Sequence, residues 1–563
     1  MINIFIFSFF SSIYLFCAGI LFYSKKSREV EQIFITIIFG SFVLSSIGLF
    51  LNFFIPLNIN VNSLILIIIL IFGFIFIYKN EIFKKLIYCS ILISLISTLI
   101  LYFDTIYRPD ANLYHLPYTR IINENKIILG ISNIHFRFGH ISIIQYLNGI
   151  FHNYLFKEKG IIIPAAIIFS SVILYFWNEI KNNISKDKIY CYYVFLILSY
   201  ILYGYNRYSE FGNDTIAHLI FLFLSTYFLK ASFVKEIETK EFFKICTLSL
   251  FCFMLKTSLV FVFLFPLYFF INNFKRELLF NYLNIIIFLI IISWFVKNIL
   301  VSGCLIYPIE ATCFENLQWF SNNSNYNISA KIQSLDNEAW TKGWPDYKGI
   351  EISQDLYVKN FFWLKTWLSV HGLLIFKRLS IFIFIIFVLT FLIKKIEVNH
   401  KSYKFNLDKR IIALIVFSFF CVLMWFLRFP VFRYGSSYIV VLIVAISTFY
   451  AIKNNLFFKN DQKFSRLINI SLIIFFTLFV LKHGLRIYKN YDYKVSDPWP
   501  KFPKEADTIN ISENKKIGSE FNFYLLKENM DGCGFILSPC TPYPVRNVLH
   551  KKTKGYTILY LDK

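Results

Sequence analysis

Charged residues are scarce in this 563-residue chain, and acidic residues are the scarcest of them. Only 16% of the residues are charged and 57% are hydrophobic, and 34 Asp and Glu stand against 57 Lys and Arg. An ordinary soluble domain carries about 25% charged residues. The long Ile, Leu and Phe runs therefore predict an all-α polytopic membrane protein. Because these runs do not alternate with a period of two, they disfavour an outer-membrane β-barrel.

The chain also lacks a recognisable signal peptide and a nucleic-acid-binding pattern. The first apolar run, residues 2–23, has no charged leader and is followed by Lys25, Lys26 and Arg28, which indicates a retained helix. The formal charge is +23, and most of the Lys and Arg residues lie between the apolar runs, as they do in cytoplasmic loops. This pattern predicts that the chain contacts the lipid bilayer and does not bind nucleic acid. Part of the excess suits anionic lipid or a phosphate substrate.

Apolar runs near the length that crosses a bilayer occur about fourteen times. The basic connections place both termini on the periplasmic side of an inner membrane. Little Ala and Gly beside much Ile, Lys, Asn and Phe is typical of an AT-rich bacterial genome. The predicted spans lie near residues 2–23, 32–55, 61–78, 83–103, 160–177, 189–204, 214–230, 241–255, 257–272, 281–300, 379–394, 410–427, 435–453 and 466–482.

The polar stretches between spans divide the chain into six parts. Residues 113–155 and 361–378 are expected to form external helices in the membrane interface. No internal repeat is visible, which disfavours a transporter built from symmetric halves. The parts are N-terminal helices (1–103), a first external loop (104–159), central helices (160–301), a second external loop (302–378), C-terminal helices (379–482) and a small extracytoplasmic tail domain (483–563).

Four of the ten cysteines form two close pairs in segments that the charge pattern places outside. The pairs are Cys304 with Cys313 and Cys533 with Cys540. An oxidising compartment permits two disulfide bonds here. A zinc site is the alternative, but C-x₈-C and C-x₆-C without nearby His differ from metal-ligand spacing. Disulfides are the favoured interpretation.

Several short polar islands interrupt the apolar sequence on the predicted outer side. A carboxylate there acts as a general base or binds a divalent cation such as Mg²⁺ or Mn²⁺. Arg and Lys beside the lipid hold phosphate through charge-assisted hydrogen bonds. Together these groups suit glycosyl transfer from a lipid-phosphate donor. The islands are Asp104–Arg120 (with Arg108), His135–His140, Tyr205–Asp214, Lys256, 302–360 and Arg428–Tyr434.

One island resembles a known motif. Asp110-Ala-Asn-Leu-Tyr-His-Leu-Pro-Tyr-Thr-Arg120 resembles the D-x-x-x-Y-H-L-P-x-x-R motif in the first external loop of bacterial GT-C superfamily glycosyltransferases. Those polytopic enzymes are related to the dolichyl-phosphate-mannose protein mannosyltransferase family. Gly212-Asn213-Asp214, Leu255-Lys256-Thr257 and Arg433-Tyr434 are similar to further segments of the same proteins. The scattered matches extend over most of residues 100–445.

The resemblance implies a GT-C-like fold, a polyprenyl-phosphate-sugar donor and an inverting transfer on the outer face to an envelope glycan or lipid acceptor. It implies Asp110 as the base with His115 as a neighbour. Asp104 is a rival base because it lies closer to the end of the preceding span. The predicted substrate-binding residues are Arg120, Asp214, Lys256, Arg428, Arg433 and Tyr434.

Two other functions stay open. An O-antigen polymerase or ligase also has many spans and a large external loop with arginines, but residues 302–360 contain no arginine. A transporter or flippase for a lipid-linked sugar would carry charged residues near mid-membrane and broken helices. Most charges in this sequence lie at the ends of the predicted spans.

Overall fold

The computed structural model describes a mostly helical chain with a small β-rich part at its C-terminal end. The basic connections around Lys25 and Lys275 lie outside the described residues. The described residues are 1–23, 30–104, 110–205, 211–232, 237–272, 281–320, 330–396, 408–454, 456, 461–491, 498–500, 512–517, 521–526, 532–535, 538–542, 545 and 547–561.

Most helices are long and apolar, and short helices lie in the connections between them. The first ten are α1 (Ile2–Ala18), α2 (Val30–Leu51), α3 (Ile59–Asn80), α4 (Phe83–Leu101), α5 (Leu116–Glu124), α6 (Ile144–Ile150), α7 (Ile163–Asn183), α8 (Lys188–Gly204), α9 (Asp214–Ala231) and α10 (Thr239–Leu255). The others are α11 (Leu264–Asn272), α12 (Tyr282–Ser302), α13 (Ala330–Thr341), α14 (Gln354–Lys359), α15 (Trp363–Trp367), α16 (Leu373–Ile396), α17 (Lys409–Arg428), α18 (Phe432–Lys453) and α19 (Asp461–Asn490).

Within the described ranges, ten helices are long and apolar enough to cross a membrane. Three shorter apolar helices accompany them, at Ile2–Ala18, Lys188–Gly204 and Thr257–Asn272. The chain is therefore a multi-pass helical membrane protein, as its composition predicts. The start of α9, the end of α10 and the start of α18 lie at the same end of the helix bundle. This end is called the site end below.

The first loop is a buried part of the site end. Gly48 on α2 lets α6 approach closely, since a Cβ there would lie 3.0 Å from the Ile150 side chain. Asn62 and Asn123 both donate side-chain hydrogen bonds to the carbonyls of Leu57 and Gly149. Irregular buried backbone needs such partners. This need accounts for several polar residues in residues 113–155, which form α5, α6 and two 3₁₀ turns.

Several helix boundaries differ from the sequence expectation, two of them by eight residues or more. The helix expected from residue 379 begins at Trp363, because α15 and α16 are continuous through a π-helical turn at Leu368–Gly372. The helix expected to end near 482 continues to Asn490. Its polar last turns are used for packing: Arg486 donates to the carbonyls of Ile100 and Leu99 at 2.6 and 2.8 Å, satisfying groups at the end of α4.

The tail contains two small sheets that dock on the first loop. β1 (Ser512–Ile517) pairs antiparallel with β2 (Phe521–Leu526), β2 pairs parallel with β3 (Cys540–Thr541), and β4 (Val548–Thr553) pairs antiparallel with β5 (Tyr556–Leu561). The Leu559 N–H donates to the Leu129 carbonyl at 2.8 Å. Disulfide bonds join Cys304 to Cys313 and Cys533 to Cys540, the pairs that the sequence favours.

Candidate active site

Asp110 and Arg433 form an ion pair at the site end, although 323 residues separate them in the chain. Arg433 Nη1 donates to Asp110 Oδ2 at 3.0 Å. Asp110 directly precedes a π-helical turn at Ala111–His115, and Arg433 lies in the first turn of α18. The Asp110 side chain remains 40% exposed. Its second oxygen is therefore available to a substrate hydroxyl.

A second ion pair joins Asp214 and Lys256. Lys256 Nζ donates to Asp214 Oδ1 at 2.5 Å and to the Arg433 carbonyl at 3.0 Å. It also lies 4.2 Å from the centre of the Tyr434 ring, and only 8% of its side chain is exposed. The Tyr434 hydroxyl accepts from Arg433 Nη2 at 3.1 Å. Asp110, Asp214, Lys256 and Arg433 are called the site cluster below.

The local backbone explains why Lys256 reaches this position. After α10 the chain is extended at Lys256 and then enters a 3₁₀ turn at Thr257–Phe263. The freed carbonyl of Leu255 accepts from Asn213 Nδ2 at 2.6 Å and from Ser142 Oγ at 2.8 Å. The end of α10, the start of α9 and the first loop are thereby held together.

His218 fixes the start of α18 from the first turns of α9. Its Nε2 lies 2.7 Å from the Arg433 carbonyl, and its Nδ1 lies 2.8 Å from Ser437 Oγ. The ring is buried and bonded at both nitrogens. His218 therefore positions the segment that carries Arg433.

Tyr114 and His115 lie beside the site cluster, with ring centres 4.1 Å apart. The pKa of His115 is lowered to about 4, chiefly by burial; the two carboxylates of the cluster oppose this shift, while the Arg137 and Arg433 charges add to it. The imidazole is therefore neutral at neutral pH. Its Nδ1 is buried and has no hydrogen-bond partner within the described part of the chain. The predicted neighbour of Asp110 is thus a neutral donor or acceptor.

Helix α13 of the second loop forms the outer rim of the site. The Arg433 guanidinium carbon lies 5.1 Å from the centre of the Trp340 ring. Glu338 accepts from Lys342 at 2.6 Å and from Arg428 at 3.5 Å. The Arg428 side chain is 67% exposed, so this predicted substrate-binding residue lies on the rim outside the cluster.

Two predicted residues have other partners. Asp104 Oδ1 accepts from Arg486 at 3.1 Å, which ties the end of α4 to α19. Arg120 pairs with Glu124 at 2.5 Å and lies 5.2 Å from the Phe535 ring of the tail. The geometry thus favours Asp110 over Asp104 as the reactive carboxylate. Arg108 and residues 206–210 of the polar islands lie outside the described residues.

A cavity of about 820 Å³ adjoins the site cluster between α8, α9, α16, α18 and α19. Asp214, His218 and Arg433 form its polar wall. Ile381 and Leu478 line it and are 47% and 54% exposed, so apolar side chains at its edge face outward from the helices. The cavity therefore joins the charged cluster to a lipid-facing surface.

Arg378 also lines this cavity and was missed in the sequence. Its guanidinium carbon lies 5.5 Å from the centre of the Phe432 ring, and the described residues include no carboxylate paired with it. The available signal was the basic pair Lys377-Arg378 inside an otherwise apolar stretch. Trp340 and His218 gave no comparable signal, because a Trp in a long loop and a His in an apolar helix have many uses.

The described residues contain no group of three or more His, Cys, Asp and Glu side chains arranged to hold a metal ion. The site cluster instead pairs each of its carboxylates with a side-chain cation. Its chemistry is that of paired acids and bases beside a lipid-facing cavity.

Comparison with known proteins gives one family. No curated protein and no solved structure matches the chain. Residues 1–440 match the model of a family described as a domain of unknown function, DUF8201. That match includes the first loop, the site cluster, α8, α9, α16 and the start of α18, whereas α19 lies beyond it. The chain therefore belongs to the DUF8201 family.

Proposed function

We propose that this protein is a membrane glycosyltransferase. It transfers a sugar from a polyprenyl-phosphate donor to an envelope glycan or lipid on the periplasmic face of the inner membrane. The observation that carries the proposal is the site cluster at the mouth of the cavity. Asp110 is half-exposed, and within the described part of the chain only its Oδ2 is paired, so it is available as a base; Arg433 contributes to both the cluster and the cavity wall.

The proposed reaction is a direct displacement at the anomeric carbon. Asp110 takes the proton from the acceptor hydroxyl as the acceptor oxygen bonds to that carbon. The bond between the anomeric carbon and the phosphate oxygen breaks, and the lipid phosphate leaves with the electron pair. Arg433 and Arg378 stabilise the negative charge that develops on this phosphate. Asp110 then releases its proton to water, and the sugar configuration is inverted.

The cavity suits the donor because it has both an apolar edge for the prenyl chain and a charged wall for the phosphate. Ile381 and Leu478 supply apolar contacts for a prenyl chain entering from the bilayer. Arg378 supplies a guanidinium without a carboxylate partner among the described residues, which suits a phosphate better than the already paired Lys256. Lys256 is better suited to holding Asp214 and Arg433 in place than to binding the donor directly.

The test is a transfer assay on the purified full-length protein in liposomes with labelled polyprenyl-phosphate sugars and envelope acceptors. Asp110→Asn should abolish transfer while insertion and thermal stability persist. Asp355→Asn is the matched control, since Asp355 pairs with Lys359 on the exposed helix α14. Undiminished transfer by Asp110→Asn would refute the proposal.

Transport of a lipid-linked sugar is a second candidate, because the α10 segment breaks at Lys256 beside a cavity, as helices do in many transporters. The liposome assay separates the two functions. A transporter would move the labelled donor between leaflets and leave its sugar–phosphate bond intact.

A further inference from the structure

Arg137 is a cation of the first loop whose side chain pairs with no acid among the described residues. It lies in the 3₁₀ turn Phe136–Gly139 and is half-buried. Its guanidinium carbon is 5.0 Å from the centre of the Phe136 ring and 5.8 Å from that of Tyr114. Within the described part of the chain, no carboxylate pairs with this guanidinium and no side chain or carbonyl accepts from it.

Three other cations near the site cluster do have acid partners. Arg433 pairs with Asp110, Lys256 with Asp214, and Lys342 with Glu338. Taking a cation partly out of water without a partner is costly, and a bound anion would offset that cost. A guanidinium presents a planar fork that matches the two oxygens of a phosphate or carboxylate.

Three imidazoles lie near enough to this guanidinium for its charge to act on them. The pKa of His115 is lowered to about 4 and the pKa values of His135 and His140 are lowered to about 3, chiefly by burial and in part by the Arg137 charge. They are therefore neutral at neutral pH and leave the positive charge to Arg137. His115 Nδ1 and His140 Nε2 are buried, and no described residue hydrogen-bonds to either. Both nitrogens therefore have unused hydrogen-bonding capacity beside the guanidinium.

Arg137 and its neighbouring imidazoles belong to the first loop, as Asp110 does. The charges of Arg137 and Asp110 both act on Tyr114 and His115, so both charged groups lie near the same two rings. The cavity beside Asp214 and Arg433 is lined by α8, α9, α16, α18 and α19, and its lining includes none of the described residues of the first loop. A donor in the cavity and a second substrate at Arg137 would therefore approach the site cluster from two directions.

We propose that Arg137, together with His115 and His140, binds an oxyanion, a phosphate or carboxylate, carried by the acceptor substrate. The acceptor of this enzyme is accordingly acidic. The assignment of this anion to an acceptor rests on the proposed function, whereas the anion site itself rests on the surroundings of Arg137 alone. The charged group is either the phosphate of a lipid headgroup or an acidic group on a soluble glycan.

The first experiment measures anion binding by the full-length protein in a non-ionic detergent. Binding is followed as a rise in the thermal midpoint of the protein. The probes are geranyl phosphate, inorganic phosphate and glucuronate, with geraniol and glucose as neutral counterparts. Arg137→Gln should weaken anion binding about 10-fold or more, since one charge-assisted contact is lost. Lys126→Gln is the matched control, because Lys126 is a first-loop cation that contacts the Tyr556 ring at 4.0 Å. It should bind like the wild type.

The probes also identify the source of the anion. Stabilisation by geranyl phosphate at far lower concentration than by inorganic phosphate would indicate a lipid-borne phosphate. Equal potency of glucuronate and geranyl phosphate would indicate an acidic glycan. Wild-type affinity of Arg137→Gln for every anion would overturn the proposal.

A second measurement uses the wild-type protein, so it tests the anion site even if Arg137→Gln fails to fold. Phenylglyoxal modifies accessible arginines, and mass spectrometry reports each site. Saturating anion should protect Arg137 and leave the exposed Arg428 reactive; unprotected Arg137 would overturn the proposal. Asp110→Asn should lose transfer but keep this protection. If Asp110→Asn instead keeps both, the proposed function fails while the anion site stands.

Discussion

The main-chain carbonyl of Arg433 accepts a hydrogen bond from Lys256 Nζ at 3.0 Å, while the same ammonium holds Asp214 at 2.5 Å. Because the Arg433 guanidinium binds Asp110, a single lysine thus connects both carboxylates of the site cluster. Lys256 can do this only because α10 ends one residue earlier and its backbone is extended. The break in this helix is therefore part of the site.

Lys256→Gln should destabilise the protein and inactivate it. Asp214 would be left partly buried without its cation, at a cost of roughly 2–3 kcal/mol of unfolding free energy. Thermal denaturation in detergent measures the loss. Lys256→Gln combined with Asp214→Asn should recover much of the stability without the activity, because the unpaired charge is gone. A double variant as unstable as Lys256→Gln would show that the ammonium acts mainly on the Arg433 carbonyl.

Stability should fall as the pH decreases from 6.5 towards 4, in part through His115. Its pKa is lowered from 6.5 to about 4 in the folded protein, so between these values the unfolded chain binds more protons. The stabilising contribution is complete above pH 6.5 and is lost progressively below it, by up to roughly 3 kcal/mol.

His115→Gln tests this dependence through thermal midpoints measured from pH 4 to 7. The variant should show a shallower loss of stability than the wild type, with the remaining slope supplied in part by His135, His140 and His152, whose pKa values are also lowered. An unchanged slope would mean that His115 does not stay neutral in the folded protein.

The sequence predicts the class of the protein and part of its site for a simple physical reason. Uncompensated polar residues inside apolar runs are costly, so Asp214, Lys256 and Arg433 are conspicuous at helix ends. The partners of these residues are another matter. Asp110 pairs with Arg433, 323 residues away, while the nearby Arg120 turns towards Phe535 of the tail. Such choices depend on tertiary packing, which neither spacing nor composition encodes.

We predict that the tail holds the first loop in position through Gly532 and Gly534. The Gly534 N–H donates to the Asn112 carbonyl at 3.0 Å, two residues after Asp110. Gly532 has φ +127° and its Cβ would lie 2.7 Å from the Asn112 backbone. Gly532→Ala should therefore separate the tail from the loop and lower kcat about 10-fold, a barrier change of about 1.4 kcal/mol.

Gly484→Ala is the matched control for this substitution. A Cβ at Gly484 meets no atom within 4 Å, and the residue lies inside α19. The activity of Gly484→Ala should therefore be unchanged, and the protein should be as stable to heat as the wild type or slightly more so. Transfer rates of the two variants in liposomes provide the comparison. Equal rates would indicate that the tail has no part in positioning Asp110.

Arg378→Gln should impair donor binding more than the chemical step. Its guanidinium lines the cavity beside a lipid-facing edge, where it would hold the donor phosphate in the ground state as well as in the transition state. Losing one charge-assisted hydrogen bond should raise KM for the donor roughly 10- to 100-fold. Lys377→Gln removes the adjacent charge, which does not line the cavity, and should leave KM unchanged. A fall in kcat at constant KM would instead place Arg378 among the groups that act only on the departing phosphate.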